Sequence, residues 1–311
     1  MLVDLIEYHR PSQLGQATRL LARERPRTVP LGGATALCGG PAVGVEAVVD
    51  LGGLGLDFIR VEADGLSVGA MTTLQGLVEN SASRAFWWGV IAVSARSSAT
   101  RVLRNAATVG GTLAGGQLSR ADLAVVLLAL NARVRVLGPD GRERWLAMAE
   151  CTDGLPAAGV IVEVLVPNPD HSAVFTDSAD PEGAQASARA AGAAFLRVGR
   201  TASDPALVHV AATVEPVPDG GYAVGLALGG AGWTPVRAVA VETALRGTEL
   251  ADDTVCQALD GDLGVPPPPS DFRASSRYRG AVVRVLARRA IRQAADRAVA
   301  DHLHPSLGGA G

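Results

Sequence analysis

The sequence predicts an α+β protein built from three consecutive units, and two patterns indicate this class. In residues 1–55 and 56–175, stretches with apolar residues at helical spacing alternate with short apolar runs that are typical of buried strands. Between residues 195 and 303, the runs at 208–214 and 222–228 alternate in polarity, which predicts an antiparallel pair of strands. Helices and a separate antiparallel sheet are therefore expected in one chain.

The composition is that of a folded protein with sizeable cores. The chain has 311 residues, of which 48% are hydrophobic and only 4% aromatic, so Leu, Val and Ala must fill the interior. The net charge is −3, and every one of the 28 basic residues is an arginine. This charge balance does not favour a nucleic-acid partner.

The cysteines and histidines exclude several kinds of site. Cys38, Cys151 and Cys256 are far apart and odd in number, so no disulfide framework is expected and a cytoplasmic location is predicted. An iron–sulphur cluster generally needs about four cysteines, and no histidine spacing is typical of a metal site, so we expect neither on this chain. The sequence has no uncharged apolar stretch long enough to predict a membrane span. No pattern in it identifies a catalytic residue.

The elements of the first two units follow from their apolar patterns. A helix is predicted after residues 11–12, and strands are predicted at 28–31 and 47–51. In the second unit, the apolar run at 86–93 predicts a buried helix, and 121–130 predicts another. A final apolar run predicts a buried strand at 160–167.

The rest of the chain changes character twice. Asp, Ser, Pro, Gly and Ala dominate from 168 to 194, and we assign 176–194 to an inserted loop or linker. In the third unit, the hairpin is followed by a helix that opens at Pro235. A long last helix is predicted at 278–300, and residues 304–311 form a tail.

Two glycine doublets, each in a turn between apolar runs, are the most informative local feature. They are Gly32-Gly33 and Gly110-Gly111. Glycine lets the backbone approach a ligand closely because it has no Cβ, and successive turn amides can hold an anion. The hydroxyls of Thr35, Thr108 and Thr112 would add donors. One doublet alone is weak evidence in a chain with 37 glycines, but two such turns brought together could clamp a pyrophosphate.

The surroundings of these doublets resemble those of a known family. Residues 104–111 are similar to the Arg-Asn-x-x-Thr-Ile-Gly-Gly loop of the FAD-binding medium subunit of molybdenum hydroxylases, related to xanthine dehydrogenase and aerobic carbon monoxide dehydrogenase. Residues 31–36 resemble its Ala-Gly-Gly-type loop, and 66–73 resemble its Gly-Ala-x-Thr-Thr passage. The resemblance spans nearly the whole chain. It implies a two-subdomain FAD-binding fold of the vanillyl-alcohol-oxidase (PCMH) type, followed by a C-terminal α/β subdomain with an antiparallel sheet.

The resemblance also implies a set of cofactor-binding residues. Asp122 corresponds to an acidic residue that faces the cofactor, although it is equally suited to begin a helix. Arg197 stands where the family usually has Lys, and it would place a cation near the flavin. The full implied set is Leu31, Gly32, Gly33, Ala34, Thr35, Ala36, Thr108, Val109, Gly110, Gly111, Thr112, Asp122, Ile161 and Arg197.

The function that the resemblance implies is electron transfer through FAD. A molybdopterin-binding large subunit and an iron–sulphur small subunit are the expected partners, and the complex could assemble as a homo-oligomer. Electrons would pass from the iron–sulphur clusters through FAD to an external acceptor. Two alternatives stay open at this point: a stand-alone FAD-dependent oxidase or dehydrogenase, and a scaffold subunit that has lost its flavin.

Overall fold

The computed structural model describes most of the chain. The described residues are 4–39, 43–115, 121–152, 154–155, 159–169, 191–201, 204–230 and 234–300. Most of the predicted linker 176–194 and the whole predicted tail 304–311 lie outside them. Three separate sheets and their helices form the described structure, so the predicted α+β class is confirmed.

The N-terminal part forms a small parallel sheet. Its elements are β1 (Glu7–His9), α1 (Leu14–Leu21), β2 (Thr28–Leu31), α2 (Thr35–Cys38) and β3 (Ala47–Asp50). The strands lie in the order β1-β3-β2, and both pairings are parallel. Because parallel strands end at the same edge, the turn after β2 and the turn after β3 lie on one side of this sheet.

The middle part forms a five-stranded sheet with helices on one side. Its strands are β4 (Ile59–Glu62), β5 (Gly65–Gly69), β6 (Arg133–Leu137), β7 (Glu143–Ala147) and β8 (Val160–Pro167). Its helices are α3 (Leu74–Glu79), α4 (Ser81–Ala85), α5 (Val90–Ser98), α6 (Arg101–Arg104), α7 (Val109–Ala114), α8 (Asp122–Ala129) and α9 (Met148–Cys151). The strand order is β4-β5-β8-β6-β7, with every pairing antiparallel.

The C-terminal part forms a four-stranded antiparallel sheet in the order β12-β11-β10-β9. Its elements are β9 (Gly192–Val198), β10 (Val208–Pro216), β11 (Tyr222–Gly229), β12 (Val236–Arg237), α10 (Val239–Leu245), α11 (Asp252–Asp260) and α12 (Ser276–Ala300). The predicted hairpin is confirmed. The predicted helix start at Pro235 is wrong, because Val236 and Arg237 pair with β11 as a short strand before α10 begins.

Helix α8 joins the two larger sheets. All eight of its residues are buried, and its core cluster includes Val134 and Val164 of the middle sheet together with Ala211 and Ala227 of the C-terminal sheet. A helix that is apolar all round is expected where both sides are covered. Helix α12 covers the opposite face of the C-terminal sheet, with Leu286 among its buried residues.

The predicted helix at 86–93 is wrong in its first half. Trp87 and Trp88 adopt left-handed backbone conformations, with φ of 48° and 58°, so α5 begins only at Val90. The indole nitrogens explain this kink: Trp87 Nε1 donates to the Pro167 carbonyl at 2.8 Å, and Trp88 Nε1 donates to the Ala191 carbonyl at 3.0 Å. Tertiary hydrogen bonds thus override local helical preference.

Among the described residues, no helix has the length and apolar character that crossing a membrane would require.

Candidate functional site

The two glycine turns meet and enclose a cavity of about 470 Å³ between the parallel sheet and the middle sheet. We call it the glycine-turn cavity. Its lining residues are Val29, Pro30, Gly32, Gly33, Ala34, Thr35, Ala36, Leu37, Leu51, Ala70, Met71, Thr108, Gly110, Gly111, Ala114, Gly115, Leu155, Gly159, Val160 and Ile161. A volume of this size is typical of small-molecule and cofactor sites. No charged side chain is among these described lining residues.

The first glycine turn touches the second through positions that only glycine can occupy. A Cβ on Gly33 would lie 1.6 Å from the Ala106 carbonyl oxygen, and a Cβ on Gly32 would lie 2.8 Å from Thr108 Oγ1. Real Cβ atoms never approach other heavy atoms so closely. The missing side chains therefore let the two turns pack against each other. The sequence predicted that the two turns come together, but it assigned the glycines to the approach of a ligand and not to this contact.

The backbone of the first turn lines the cavity and keeps amides that have no acceptor among the described residues. Ala34 has a left-handed conformation, with φ of 60°, and no side chain caps the short helix that follows it. Among the described residues, no acceptor is recorded for the backbone amides from Gly33 to Leu37. A non-glycine residue with positive φ is strained, and such strain is concentrated at functional sites.

The amides of the second turn are already used, which corrects the expectation that both turns donate amides to one anion. Val109 N donates to the Thr72 carbonyl, and Gly110 N donates to the Ala70 carbonyl. Gly111 N donates to Thr108 Oγ1 at 3.1 Å. The second turn therefore contributes a smooth glycine surface and the Thr108 hydroxyl, whose proton remains available because this oxygen accepts from Gly111.

The other predicted residues of the two turns do not all reach the cavity. Leu31, Val109 and Thr112 are absent from its lining. Val109 is buried in the core of the middle part instead. The Thr112 hydroxyl donates to the Thr108 carbonyl at 2.8 Å, so it closes the first turn of α7. Ile161 of β8 does line the cavity, as predicted.

Asp122 and Arg197 come together, but neither is among the residues that line the glycine-turn cavity. Asp122 is 1% exposed, and its Oδ2 lies 3.1 Å from Arg197 Nε. The same carboxylate accepts from Ser97 Oγ at 2.8 Å and from His209 Nδ1 at 2.7 Å. We call Ser97, Asp122, Arg197 and His209 the buried cluster. Their predicted contact with FAD stays a prediction.

The buried cluster joins the middle part to the C-terminal sheet. Ser97 lies on α5 and Asp122 begins α8, whereas Arg197 and His209 lie on β9 and β10. A buried carboxylate must be neutralised and hydrogen-bonded to be tolerated, and these three partners do both. His209 lies within the predicted strand at 208–214, and it is fully buried. Its partnership with Asp122 was missed because 87 residues separate the two.

The described residues hold no group of three or more His, Cys, Asp or Glu side chains that could bind a metal ion. The three cysteines are unpaired. Cys151, the last residue of α9, is buried, and this burial raises the pKa of its thiol to about 11. A thiol with so high a pKa is neither a good nucleophile nor a good metal ligand at neutral pH.

The glycine-turn cavity fits the phosphate bridge of a dinucleotide. Neutral amides and hydroxyls at a glycine turn are the donors that suit a pyrophosphate, and no carboxylate of the described lining would repel it. The walls on either side are apolar, with Met71, Leu155 and Val160 among the lining residues, and such walls suit the flat rings at the ends of a dinucleotide. The residues present therefore fit FAD.

Comparison with known proteins identifies the family. The model described as the FAD-binding domain in molybdopterin dehydrogenase matches residues 4–169, more than half of the chain. The model described as the CO dehydrogenase flavoprotein C-terminal domain matches residues 193–294. The glyceraldehyde dehydrogenase medium chain of Sulfolobus acidocaldarius is 27% identical over 249 residues, which cover 77% of this chain and 79% of that protein.

Two further relatives cover almost the whole chain. The nicotine 6-hydroxylase medium subunit of Paenarthrobacter nicotinovorans is 27% identical over 307 residues, which cover 96% of this chain and 100% of that protein. The crystal structure of the cyanide-inactivated Cu,Mo-CO dehydrogenase contains a chain with 24% identity and a TM-score of 0.81. The match covers 96% of this chain and 100% of that one, which confirms the predicted fold. The chain therefore belongs to the FAD-binding medium subunits of molybdenum hydroxylases, a family of oxidoreductase subunits that carry FAD.

Proposed function

We propose that this chain is the electron-transfer subunit of a molybdenum hydroxylase and that it holds FAD in the glycine-turn cavity. The observation that carries the proposal is the convergence of the two glycine turns, with the Gly33 backbone against the Ala106 carbonyl. Residues 33–37 line the cavity, and their amides have no backbone acceptor among the described residues. When bound, FAD accepts electrons singly and delivers them in pairs. The chain supplies binding and orientation.

The residues of the two turns would divide the work of holding FAD. Amides from Gly33 to Leu37 would donate to the pyrophosphate, with Leu31 and Gly32 setting the path of the backbone into that turn. Thr108 would add its hydroxyl, whereas Gly110 and Gly111 would give the phosphates a close approach. Thr112 and Val109 would act indirectly by fixing α7.

Three residues would serve the rest of the cofactor. Ile161 would contact the flavin edge from the wall formed by β8. Asp122 and Arg197 would act at the flavin end, by direct contact or by fixing the seam between the middle part and the C-terminal sheet. We also propose that the three parts act as domains with the bounds 1–55, 56–175 and 195–303. The predicted linker 176–194 is corrected at its end, because residues 192–194 already pair with β10 as part of β9.

The expected partners follow from the relatives, which are named medium chains or medium subunits. We propose that a molybdopterin-binding large subunit oxidises the substrate and that an iron–sulphur small subunit passes the electrons to FAD on this chain. An external acceptor would then take them. The unpaired cysteines support a cytoplasmic complex.

Titration of the ligand-free protein with FAD tests the proposal. We expect quenching of flavin fluorescence and a rise in the melting temperature that grows with FAD concentration, because a ligand that binds only the folded state stabilises it. FMN, which lacks the pyrophosphate and adenosine, is the control and should bind more weakly. Unchanged fluorescence and melting temperature would contradict the proposal and support the flavin-free scaffold.

A further inference from the structure

The side chain of Arg104 ties three elements together behind the second glycine turn. Its Nη1 donates to the carbonyl of Arg96 at 2.8 Å and to that of Ala99 at 2.6 Å. Its Nε donates to Gln75 Oε1 at 3.0 Å. The guanidinium thus caps carbonyls at the end of α5, which have no partner within that helix, and it fixes α6 to α3.

Helix α6 ends at Arg104, and the second turn follows directly. The amides of Ala106 and Ala107 both donate to the Leu103 carbonyl, so the turn is built on the last residues of α6. The Ala107 carbonyl in turn accepts from Leu74 N at 2.8 Å, at the start of α3. A movement of α6 relative to α3 would therefore displace the backbone of residues 105–108.

This backbone is the part of the second turn that contacts the first turn. The Ala106 carbonyl oxygen occupies the space beside Gly33 that a Cβ would otherwise fill, at 1.6 Å from that ideal position. The two backbones are already in close contact at this point and cannot move nearer to each other. Any shift of Ala106 must change the separation of the two turns, and this separation sets the width of the glycine-turn cavity at its phosphate end.

We propose that Arg104 is a positioning residue that fixes the spacing of the two glycine turns and so sets the affinity for the phosphate bridge of FAD. It does not line the cavity and would not touch the cofactor. This inference rests on the proposed function, because the ligand is the FAD assigned there. The proposal also has a consequence for the ligand-free protein, a fixed turn at 105–108, and this consequence does not rest on the proposed function.

Arg101 provides a matched control on the same short helix. It is exposed, and its guanidinium lies 3.4 Å from Glu79 Oε1 at the surface. Replacing Arg101 or Arg104 with alanine removes one positive charge in either case, and both charges lie on α6 just before the second glycine turn. Only the Arg104 substitution removes donors from the α5 carbonyls and from Gln75, so the pair separates a positioning effect from a general electrostatic effect.

The test measures dissociation constants for FAD and for ADP in wild type, Arg104→Ala, Arg104→Lys and Arg101→Ala. We expect Arg104→Ala to weaken both ligands by a similar factor of about ten to a hundred, because charge-assisted bonds behind the turn are lost. Lysine should restore part of the affinity, since an ammonium can reach the carbonyls but cannot reproduce the guanidinium fork. Arg101→Ala should bind like wild type.

Amide hydrogen exchange of the ligand-free proteins gives a second readout that does not depend on FAD. Arg104→Ala should exchange faster than wild type in peptides that cover 103–111 and 72–76, whereas Arg101→Ala should not. Equal exchange in wild type and Arg104→Ala would overturn the proposal. Equal losses of affinity in the two alanine variants would also overturn it. If the wild-type protein binds no FAD, the proposed function is contradicted. The exchange result alone then decides whether Arg104 fixes the second turn.

If Arg104→Ala does not fold, Gln75→Leu replaces it. This change removes the acceptor of Arg104 Nε, together with the bond from Gln75 Nε2 to Glu79 Oε1, and keeps the two bonds of Arg104 Nη1. We therefore expect a smaller loss of FAD affinity, in the same direction, with faster exchange at 103–111. Wild-type affinity and exchange in Gln75→Leu would then overturn the proposal.

Discussion

The glycine-turn cavity and the buried cluster both contain residues that the resemblance implies for FAD, yet the two regions differ in what they are made of. The cavity is open, lined by backbone and small side chains, and has no charged residue among its described lining. The buried cluster consists of charged and polar side chains that pair around the Asp122 carboxylate. A cavity made by backbone keeps unpaired donors for a ligand, whereas the cluster uses the Ser97 hydroxyl and His209 Nδ1 within the protein.

The largest expected effect is a loss of stability when the buried cluster, and not the glycine-turn cavity, is changed. Asp122→Ala should lower the free energy of unfolding by about 3–5 kcal/mol, because it leaves the Arg197 charge in the protein interior without its carboxylate. Denaturant unfolding measures this change. Asp252→Ala is the control: its carboxylate is exposed and pairs only with surface arginines, so the loss should stay below about 1 kcal/mol.

The same Asp122→Ala protein also decides whether the cluster belongs to the cofactor site. If Asp122 acts only by fixing the seam between the middle part and the C-terminal sheet, the folded fraction should bind FAD with an affinity within about threefold of wild type, which corresponds to less than about 1 kcal/mol. A much larger loss of affinity in protein that is still folded would place Asp122 at the cofactor and remove the distinction between the two regions.

The next effect concerns the contact between the turns. Gly33→Ala should weaken FAD binding about tenfold or more, because the new Cβ would collide with the Ala106 carbonyl and push the turns apart. Isothermal titration with FAD measures the change. Gly15→Ala is a matched control, since Gly15 lies on α1 with no atom within 4 Å of its ideal Cβ. Equal FAD affinity in both variants would show that the turns need not touch.

The smallest effect tests whether the first turn is strained. Ala34→Gly should raise the free energy of unfolding of the ligand-free protein by about 0.5–1 kcal/mol, because glycine adopts a positive φ without steric cost. The backbone amide is retained, so FAD affinity should change little. A destabilised variant would mean that the left-handed conformation at Ala34 stores no strain.

How far the sequence predicted this molecule depends on the range of the interactions. Helix α8, strand β8 and the β10–β11 hairpin follow from apolar patterns that are local in the chain. The kink at Trp87 could not be predicted, because it depends on the Pro167 carbonyl 80 residues away. The short strand β12 likewise exists only because β11 is beside it.

The candidate site shows the same division. Glycine doublets mark a close backbone approach, so the contact between the two turns could be predicted from residues 31–36 and 104–111. The pattern could not tell which amides would be free, because the bonds of Val109 and Gly110 depend on carbonyls of residues 70–72. The environment of Asp122 was equally hidden, since its partners lie on three other elements.

Amide chemical shifts upon ligand binding test the central claim most directly. In uniformly 15N-labelled protein, addition of ADP or FAD should shift the backbone resonances of Gly33 to Leu37 most strongly, because these amides would donate to the phosphates. The resonances of Val109 to Gly111 should shift less, since their protons are already bonded within the protein. Shifts confined to residues outside the two glycine turns, with 33–37 unmoved, would contradict the account.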